Sequence, residues 1–407
     1  MDSGATAWML TSCALVLFMT PGLAFFYGGM VRSKNVLGML MKNYVAMGIV
    51  TITWVLVGAS LAFSGAVEIG GYNVIGNFDL WGLRELGMSN DHFGLPYPDN
   101  VQMMFQLMFA IITPALISGA IAERMKFTTW AVFVAIWSII VYAPMAHWVW
   151  GGGFIADQVG AFDFAGGLVV HINAGAAALA LLLVLGKRTG WRQQAIRPHS
   201  LPLTILGAGM LWFGWFGFNA GSAFNADEFA GNAFLTTQIA AAVAATVWIL
   251  AEQVMHGKPT TLGFVSGAVA GLVAITPAAG FVGPLGAMAI GAASGLICFS
   301  ALRLKFMFNF DDSLDVIAVH LVGGIIGALL TGLLAEELYS GGLFVAGIEQ
   351  FGRQALSVVI AFAFSFGMTF ILAKVLDMTM GLRVTVVEEQ SGLDLSLHEE
   401  QSYVMAE

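Results

Sequence analysis

Two histidines in matching apolar surroundings are the residues of this chain best suited to chemistry. Asp163-Phe-Ala-Gly-Gly-Leu-Val-Val-His171 opens an apolar run that continues to Leu185. Asp312-Ser-Leu-Asp-Val-Ile-Ala-Val-His320 opens another that reaches Leu334. In both, an aspartate precedes the histidine by eight residues, a valine sits directly before it, and small residues follow it (Ala174, Gly175; Gly323, Gly324). With each aspartate near a helix start, a rise of 1.5 Å per residue puts each histidine roughly 12 Å further along. An ionisable group at that depth of a membrane span marks function by default. A single buried histidine is as readily a satisfied packing residue; the matched pair is what points to a pathway. Neutral imidazole offers one donor and one acceptor, so two rings can bond each other and still present a nitrogen to a small polar passenger. Burial disfavours imidazolium, so the pair stays neutral overall and a bare cation crosses it at high cost.

Two segments are unusual for their aromatics. Trp148-Val-Trp150-Gly-Gly-Gly153 closes one apolar run and Trp212-Phe-Gly-Trp-Phe-Gly-Phe-Asn-Ala-Gly-Ser222 closes another. An interfacial belt with packing accounts for Trp148 and Trp212. Trp150 lies beside the glycine run, and Ser222 follows Phe218 by one Asn-Ala-Gly step. A cation over an indole gains about 0.5–2 kcal/mol, and a hydroxyl supplies an acceptor. Together they suit a small ammonium-type cation. Phe105 and Phe109 share a helix face at i, i+4, a pattern of core packing as much as of a gate. Glu123 and Arg124 read as anchors at a span end, and Asp163 as a helix N-cap.

The elements that must position these residues are membrane helices. Of 407 residues 58% are hydrophobic and only 10% charged, against about 25% charged in soluble domains. Cys13 and Cys298 both fall in apolar runs, which argues against a disulfide framework or zinc site. No basic residue precedes Arg32, so the first run reads as a span and not a cleaved leader. Eleven apolar runs follow: 6–30, 44–66, 101–121, 127–149, 167–186, 201–223, 233–255, 260–278, 284–302, 314–334 and 355–376. One alternate set of loops carries nearly all Lys and Arg, the opposite set only Arg84 and Arg353. The positive-inside rule then places the N-terminus outside and the tail in the cytoplasm. Acidic residues, among them Asp99, Asp163 and Glu336, gather on the outer loops. The two Asp–His stretches fall on spans five and ten. The predicted fold is therefore an all-α polytopic membrane protein, an inverted repeat of five plus five spans with an extra C-terminal helix. Residues 1–376 form the membrane domain, with repeat one about 6–186, repeat two about 201–334 and the extra helix 355–376; residues 377–407 form a tail.

At these residues the chain resembles the ammonium transporter family (Amt/Mep/Rh), of the bacterial Amt type, over nearly its full length. The matching segments include Pro21-Gly-Leu-Ala-Phe-Phe-Tyr-Gly-Gly-Met-Val-Arg-Ser-Lys-Asn35, Ala146-His-Trp-Val-Trp-Gly-Gly-Gly153, Val170-His-Ile-Asn-Ala-Gly175, Trp215-Phe-Gly-Phe-Asn-Ala-Gly-Ser222 and Asp315-Val-Ile-Ala-Val-His320. The resemblance implies that Phe109, Trp150 and Ser222 form an outer recruitment site and that Phe109 and Phe218 form a phenyl gate. It also implies that His171 and His320 line the pore, with Asp163 ordering the site. It implies ammonium or methylammonium as substrate, a homotrimer in the lipid bilayer of the cell membrane, and a cytoplasmic P-II regulator at the tail. No cofactor, metal or nucleic acid is implied. The tail departs from the family pattern: Val386 and Val387 stand where acidic residues are usual, and Glu399 follows His398 where glycine is usual. These changes bear on P-II docking, not on the pore.

The expected function is transport: NH4+ is recruited at the aromatic and hydroxyl site, loses a proton, and passes the histidines as NH3, with or without that proton. An ammonium sensor on the same fold would carry an appended signalling domain, which the tail after Leu376 does not offer. An intramembrane enzyme would need a nucleophile or metal set beside the histidines, so no enzyme is expected. A channel for another small neutral solute is the closer rival.

Overall fold

Lipid offers no partner for free backbone N–H and C=O groups, so apolar runs of this length must close their own hydrogen bonds as helices. In the computed structural model, which describes residues 1–84, 86–340 and 346–403, ten helices are long and apolar enough to cross a membrane, and an eleventh is shorter. In chain order spans one to eleven are Ser3–Met30, Ser33–Phe63, Asp99–Ile117, 127–150, Gly167–Leu185, Leu201–Ala220, Glu228–His256, Thr261–Ile275, Pro284–Ala301, Ile317–Leu334 and Ile348–Thr379. The count is as expected; several ends are not. Span two begins at 33 and not 44, because Lys42 and Asn43, which interrupt the apolar run, are buried inside the helix, and Asn43 Nδ2 donates to Met39 O at 2.9 Å. Span three ends at 117 and not 121, and span eleven runs over 348–379 in place of 355–376.

Close helix approach depends on missing side chains. An added Cβ at Gly207 would lie 2.2 Å from Phe26 N, and one at Gly214 would lie 2.2 Å from Met19 Cγ. These contacts let span six, the first helix of the second half, press on span one, the first of the first half. Span eleven packs along span five, with Ser365 Oγ donating to Asn173 O at 2.7 Å. The loop after span two adds a small antiparallel hairpin, Ala66–Ile69 with Tyr72–Gly76, to the all-helical expectation. Of the acidic residues placed on the outer loops, Asp99 is buried, and so is Asp163, which caps a helix as expected. Asp99 accepts from the backbone N–H groups of His92 and Phe93, and Asp163 does comparable work described below.

At the end of the bundle that carries the tail, the expectation of simple anchors fails. Glu123 and Arg124 are buried. Glu123 adopts φ +69° and accepts from Arg32, from Asn35 Nδ2 at 2.9 Å and from Arg188 Nη1 at 3.2 Å. Arg188 also forks onto Asp311 at 2.8–2.9 Å, while Arg124 donates to the carbonyls of Gly186 and Asp311 and to Ser313 Oγ. Burial alone would push Glu123 and Asp311 up, but the guanidinium groups, Arg188 above all, hold both carboxyls below their ordinary values. Charge at a span end is thus taken inward and paired, which holds the loops after spans three, five and nine together.

The tail docks on this network through two short helices, Val386–Ser391 and Leu393–His398. Thr385 and Glu388 form a reciprocal capping box. Glu389 accepts from Thr189 and Arg383, and Asp394 caps the start of span two by accepting from Leu37 and Gly38 N–H at 3.0 and 2.8 Å. Val386 and Val387 are exposed and take no part in these contacts.

Candidate functional site

The two histidine helices start later than their aspartates. Span five begins at Gly167 and span ten at Ile317, each in a π-helical turn that holds the histidine, Gly167–Ile172 and Ile317–Leu321. Each histidine therefore lies about one turn into its helix, not eight residues along one. The aspartates cap these recessed starts. Asp163 Oδ1 accepts from Gly166 and Gly167 N–H at 2.9 and 2.5 Å, and Oδ2 from Leu168 and Val169 at 2.7 and 3.2 Å. Asp312 Oδ2 accepts from Ile317 N–H at 2.7 Å. π-Turns displace a side chain from the regular helical face and recur at functional sites.

Reciprocal glycines bring the two turns together. Gly175, four residues after His171, faces Leu321, and an added Cβ would lie 2.6 Å from the Leu321 Cβ. Gly324, four residues after His320, faces His171 and Ile172, with 3.1 Å from an added Cβ to the His171 Cβ. Each half thus leaves room for the other's histidine turn. The rings meet with centroids 5.4 Å apart and planes 24° apart, and Nδ1 faces Nδ1 at 3.3 Å. Two like nitrogens at that distance share one proton, so one ring donates and the other accepts. His171 Nε2 is buried without a hydrogen-bond partner among the described residues, an uncommon condition for a buried polar atom.

From His171 a series of aromatic contacts leads to the end of the bundle opposite the tail. Phe218 lies 6.1 Å from His171 in near-parallel stacking, Phe109 lies 4.3 Å from Phe218, and Trp150 meets Phe109 edge-on at 5.6 Å. The Phe109 and Phe218 rings are in van der Waals contact between Trp150 and His171. Trp150 Nε1 donates to Asp163 O at 2.9 Å; the residue that caps the histidine helix also orients the indole. Ser222 lies in the short turn after span six, and its Oγ donates to Phe218 O at 2.8 Å. With its proton committed, the hydroxyl keeps its lone pairs as acceptors. Gly221 beside it packs on Phe105, whose ring touches Phe109 at 4.9 Å. Trp150, Phe109, Phe218 and Ser222 therefore lie together, and the ring contacts lead from them to His171 and His320.

Sequence reasoning passed over Trp215. Its ring stacks on His171 at 5.5 Å and 19°, and Nε1 donates to Thr276 Oγ1 at 2.9 Å. The signal was present: Trp215 precedes Phe218 by three residues and so shares its helix face. Trp148, by contrast, is the packing residue expected, donating to Val74 O and lying against Phe364.

His171, His320, Trp215 and Phe218 line a cavity whose other walls are apolar, among them Leu23, Ile112, Leu116 and Val269. About 10 Å³ of it is open to the centre of a water-sized sphere, close to the minimum for one small molecule. His320, Phe26 and Val269 also line a second cavity of about 110 Å³ toward the tail end, where Glu252, Thr260, Ser266 and Asp315 add polar groups. The histidine pair therefore lies where an apolar cavity meets a partly polar one. A neutral molecule of one heavy atom fits at that junction; an ion loses its hydration there.

A model of the Ammonium Transporter Family matches residues 7–403. The whole chain aligns at 50% identity with 91% of an ammonium transporter of Mycobacterium tuberculosis. It is 46% identical to an ammonium transporter of Bacillus subtilis, with 99% of each chain covered. Among solved structures it is similar to Saccharomyces cerevisiae Mep2 (TM-score 0.87, 34% identity, 95% of this chain and 88% of that one). It is also similar to a protein described as Sensor Amt Protein (TM-score 0.89, 31% identity, 97% and 98%). The two sequence relatives are named as ammonium transporters, and the family is one of transporters and not of enzymes. This chain belongs to the ammonium transporter family.

Proposed function

We propose that the protein carries ammonium inward across the cell membrane, with the aromatic end outside and the tail in the cytoplasm. The reading rests on one observation above all: an unbroken series of ring contacts from Trp150 through Phe109, Phe218 and His171 to His320, which then opens on the polar cavity. NH4+ settles over the Trp150 and Phe109 rings, with the Ser222 lone pairs accepting one of its N–H bonds. Moving the ion past Phe218 would strip its hydration in an apolar channel, a cost that neutral NH3 largely avoids. The ion therefore gives up a proton near the gate. The gate rings swing aside, and NH3 passes along the imidazoles, where the His171 Nε2 lone of partners offers it a hydrogen bond. In the polar cavity beyond His320 it is hydrated and protonated again.

The loop distribution of Lys and Arg supports the stated orientation. Family membership supports a homotrimer with one passage per subunit and a P-II partner at the tail end. A sensor role is the second reading, favoured by the similarity to the protein described as Sensor Amt Protein. Uptake of labelled methylammonium into proteoliposomes separates the two: His171→Ala with His320→Ala abolishes selective flux, and wild-type uptake in that double variant would reduce the pair to packing. Charge movement on a solid-supported membrane tells whether the proton follows the ammonia (a current) or returns outside (none).

A further inference from the structure

Two turns into span two, whose regular helix runs Val36–Thr53, the membrane bundle buries a lysine. Lys42 is 1% exposed, and among the described residues its ammonium forms neither an ion pair nor a hydrogen bond. Side chains on a helix lean back over the preceding turn, so Lys42 lies toward Gly38. That is where the tail arrives. An added Cβ at Gly38 would lie 3.4 Å from Asp394 Oδ1 and 3.7 Å from His398 Cδ2. The His398 ring stands nearly perpendicular to Phe127, with centroids 5.0 Å apart. Its Nε2, bonded to that Cδ2, is buried without a hydrogen-bond partner among the described residues. Burial, and then the charge of Lys42, hold the imidazole below its ordinary value, against the pull of Asp394 and Glu400, as a cation close by would.

An ammonium and an imidazole nitrogen thus face one seam between span two and the second tail helix, and neither bonds the other. Asp394 does not serve them. Its oxygens accept from Leu37 and Gly38 N–H, so its charge is largely spent on the positive start of the helix. A buried ammonium without a counter-charge of its own is costly. A water between the two nitrogens would accept from both but leave the charge uncompensated. A monatomic anion accepts from both, compensates the charge and needs little more room than a water. Neutral His398 can carry its proton on Nε2 and donate inward. We propose that Lys42 and His398 hold a small monovalent anion of the halide class, chloride in the cell, between span two and the tail. Bound there, the ion ties the last tail helix to the membrane bundle beside the Asp394 cap.

The test pairs crystallography with melting of the full-length protein in detergent. Crystals grown in sodium bromide should show an anomalous peak between Lys42 Nζ and His398 Nε2. Replacing gluconate by chloride at constant ionic strength should raise the melting temperature saturably, by roughly 2 °C at ten times the half-saturating concentration. Lys42→Met keeps an apolar stem and removes the charge, so it should lose both the peak and the shift. His398→Phe removes one donor and should raise the half-saturating chloride concentration on the order of tenfold. The proposal is overturned if the position holds no bromide (a water there included), or if the wild type melts alike in both salts. It is also overturned if Lys42→Met keeps the chloride shift, which would put the ion elsewhere, or if His398→Phe leaves half-saturation unchanged. Should Lys42→Met fail to fold, the bromide peak in the wild type decides.

Discussion

Trp150→Leu tests the recruitment site most directly. Leucine keeps an apolar residue over Phe109 but removes the indole face and the Nε1 donor that Asp163 O accepts at 2.9 Å. The indole is only half-buried, so its cation–π contribution belongs in the range of about 0.5–2 kcal/mol. At 1.4 kcal/mol per tenfold, that raises the half-saturation for methylammonium by roughly 2- to 30-fold. Trp150→Phe restores a ring with a weaker face and no donor, so it should fall between the two. The assay is the concentration dependence of labelled methylammonium uptake in proteoliposomes, with melting in detergent as the check on folding. The chemistry assigned to the mouth predicts that half-saturation moves first and the maximal rate much less, because the gate and histidines lie beyond the altered contact. A half-saturation unchanged in well-folded Trp150→Leu, or equal losses in the leucine and phenylalanine variants, would refute the cation–π reasoning and leave Trp150 as a packing residue.

Asp163→Asn keeps shape but leaves one carbonyl oxygen for four N–H donors; two buried amides stripped of an acceptor cost about 1–3 kcal/mol each. The variant should melt earlier and lose uptake, and an unchanged melt would show that water replaces the carboxylate there. Arg188→Met leaves the buried Asp311 carboxylate without its ion pair and takes one of two from Glu123, which keeps Arg32. It should destabilise by about 3–5 kcal/mol, read as loss of folded protein in detergent; a wild-type melting temperature would mean that Asp311 is not buried in solution. Because Glu123 and Asp311 are held below their ordinary values when folded, their stabilisation is complete above the unfolded carboxylate range and is lost as pH falls through the depressed folded values. Melting temperature should accordingly drop on acidification from about pH 7 to about pH 3, and Glu123→Gln should flatten part of that drop.

The span count and the matched histidines were legible because both depend on local pattern: apolar length for the one, a repeated Asp-to-His interval for the other. The buried charge network was not. Glu123, Arg124 and Arg188 sit just after an apolar run and Asp311 just before one, and a charge in such a place reads as a solvated anchor unless its tertiary partner is known. Asp99 misled in the same way, since a carboxylate turned inward has the same local signature as one facing water, whereas Asp163 caps its helix as read. Trp215 was visible as a neighbour of Phe218 on one face, but nothing along the chain says that the face meets His171. The π-turns at 167–172 and 317–321 leave no trace in composition. They follow from where the aspartate caps allow each helix to begin.

The same two features explain why an inverted repeat is a suitable frame for a small polar passenger. Antiparallel halves bring equivalent turns to one level, so a single sequence device, used twice, yields two facing groups. Here the device is a capping aspartate, a histidine one turn into the helix and a glycine four residues after it. The copies are not equal. Asp163 gathers four N–H donors and its carbonyl steers Trp150, whereas the Asp312 carboxylate accepts from Ile317 and Asp315 beside it is paired with Lys305. His171 is thereby fixed to the aromatic mouth and His320 to the polar one. Under the proposed function, a waist built symmetrically and supported asymmetrically presents one donor–acceptor pair to a molecule arriving from either side while its two mouths treat charge differently: rings that attract a cation at one end, carboxylates and hydroxyls that hydrate it at the other.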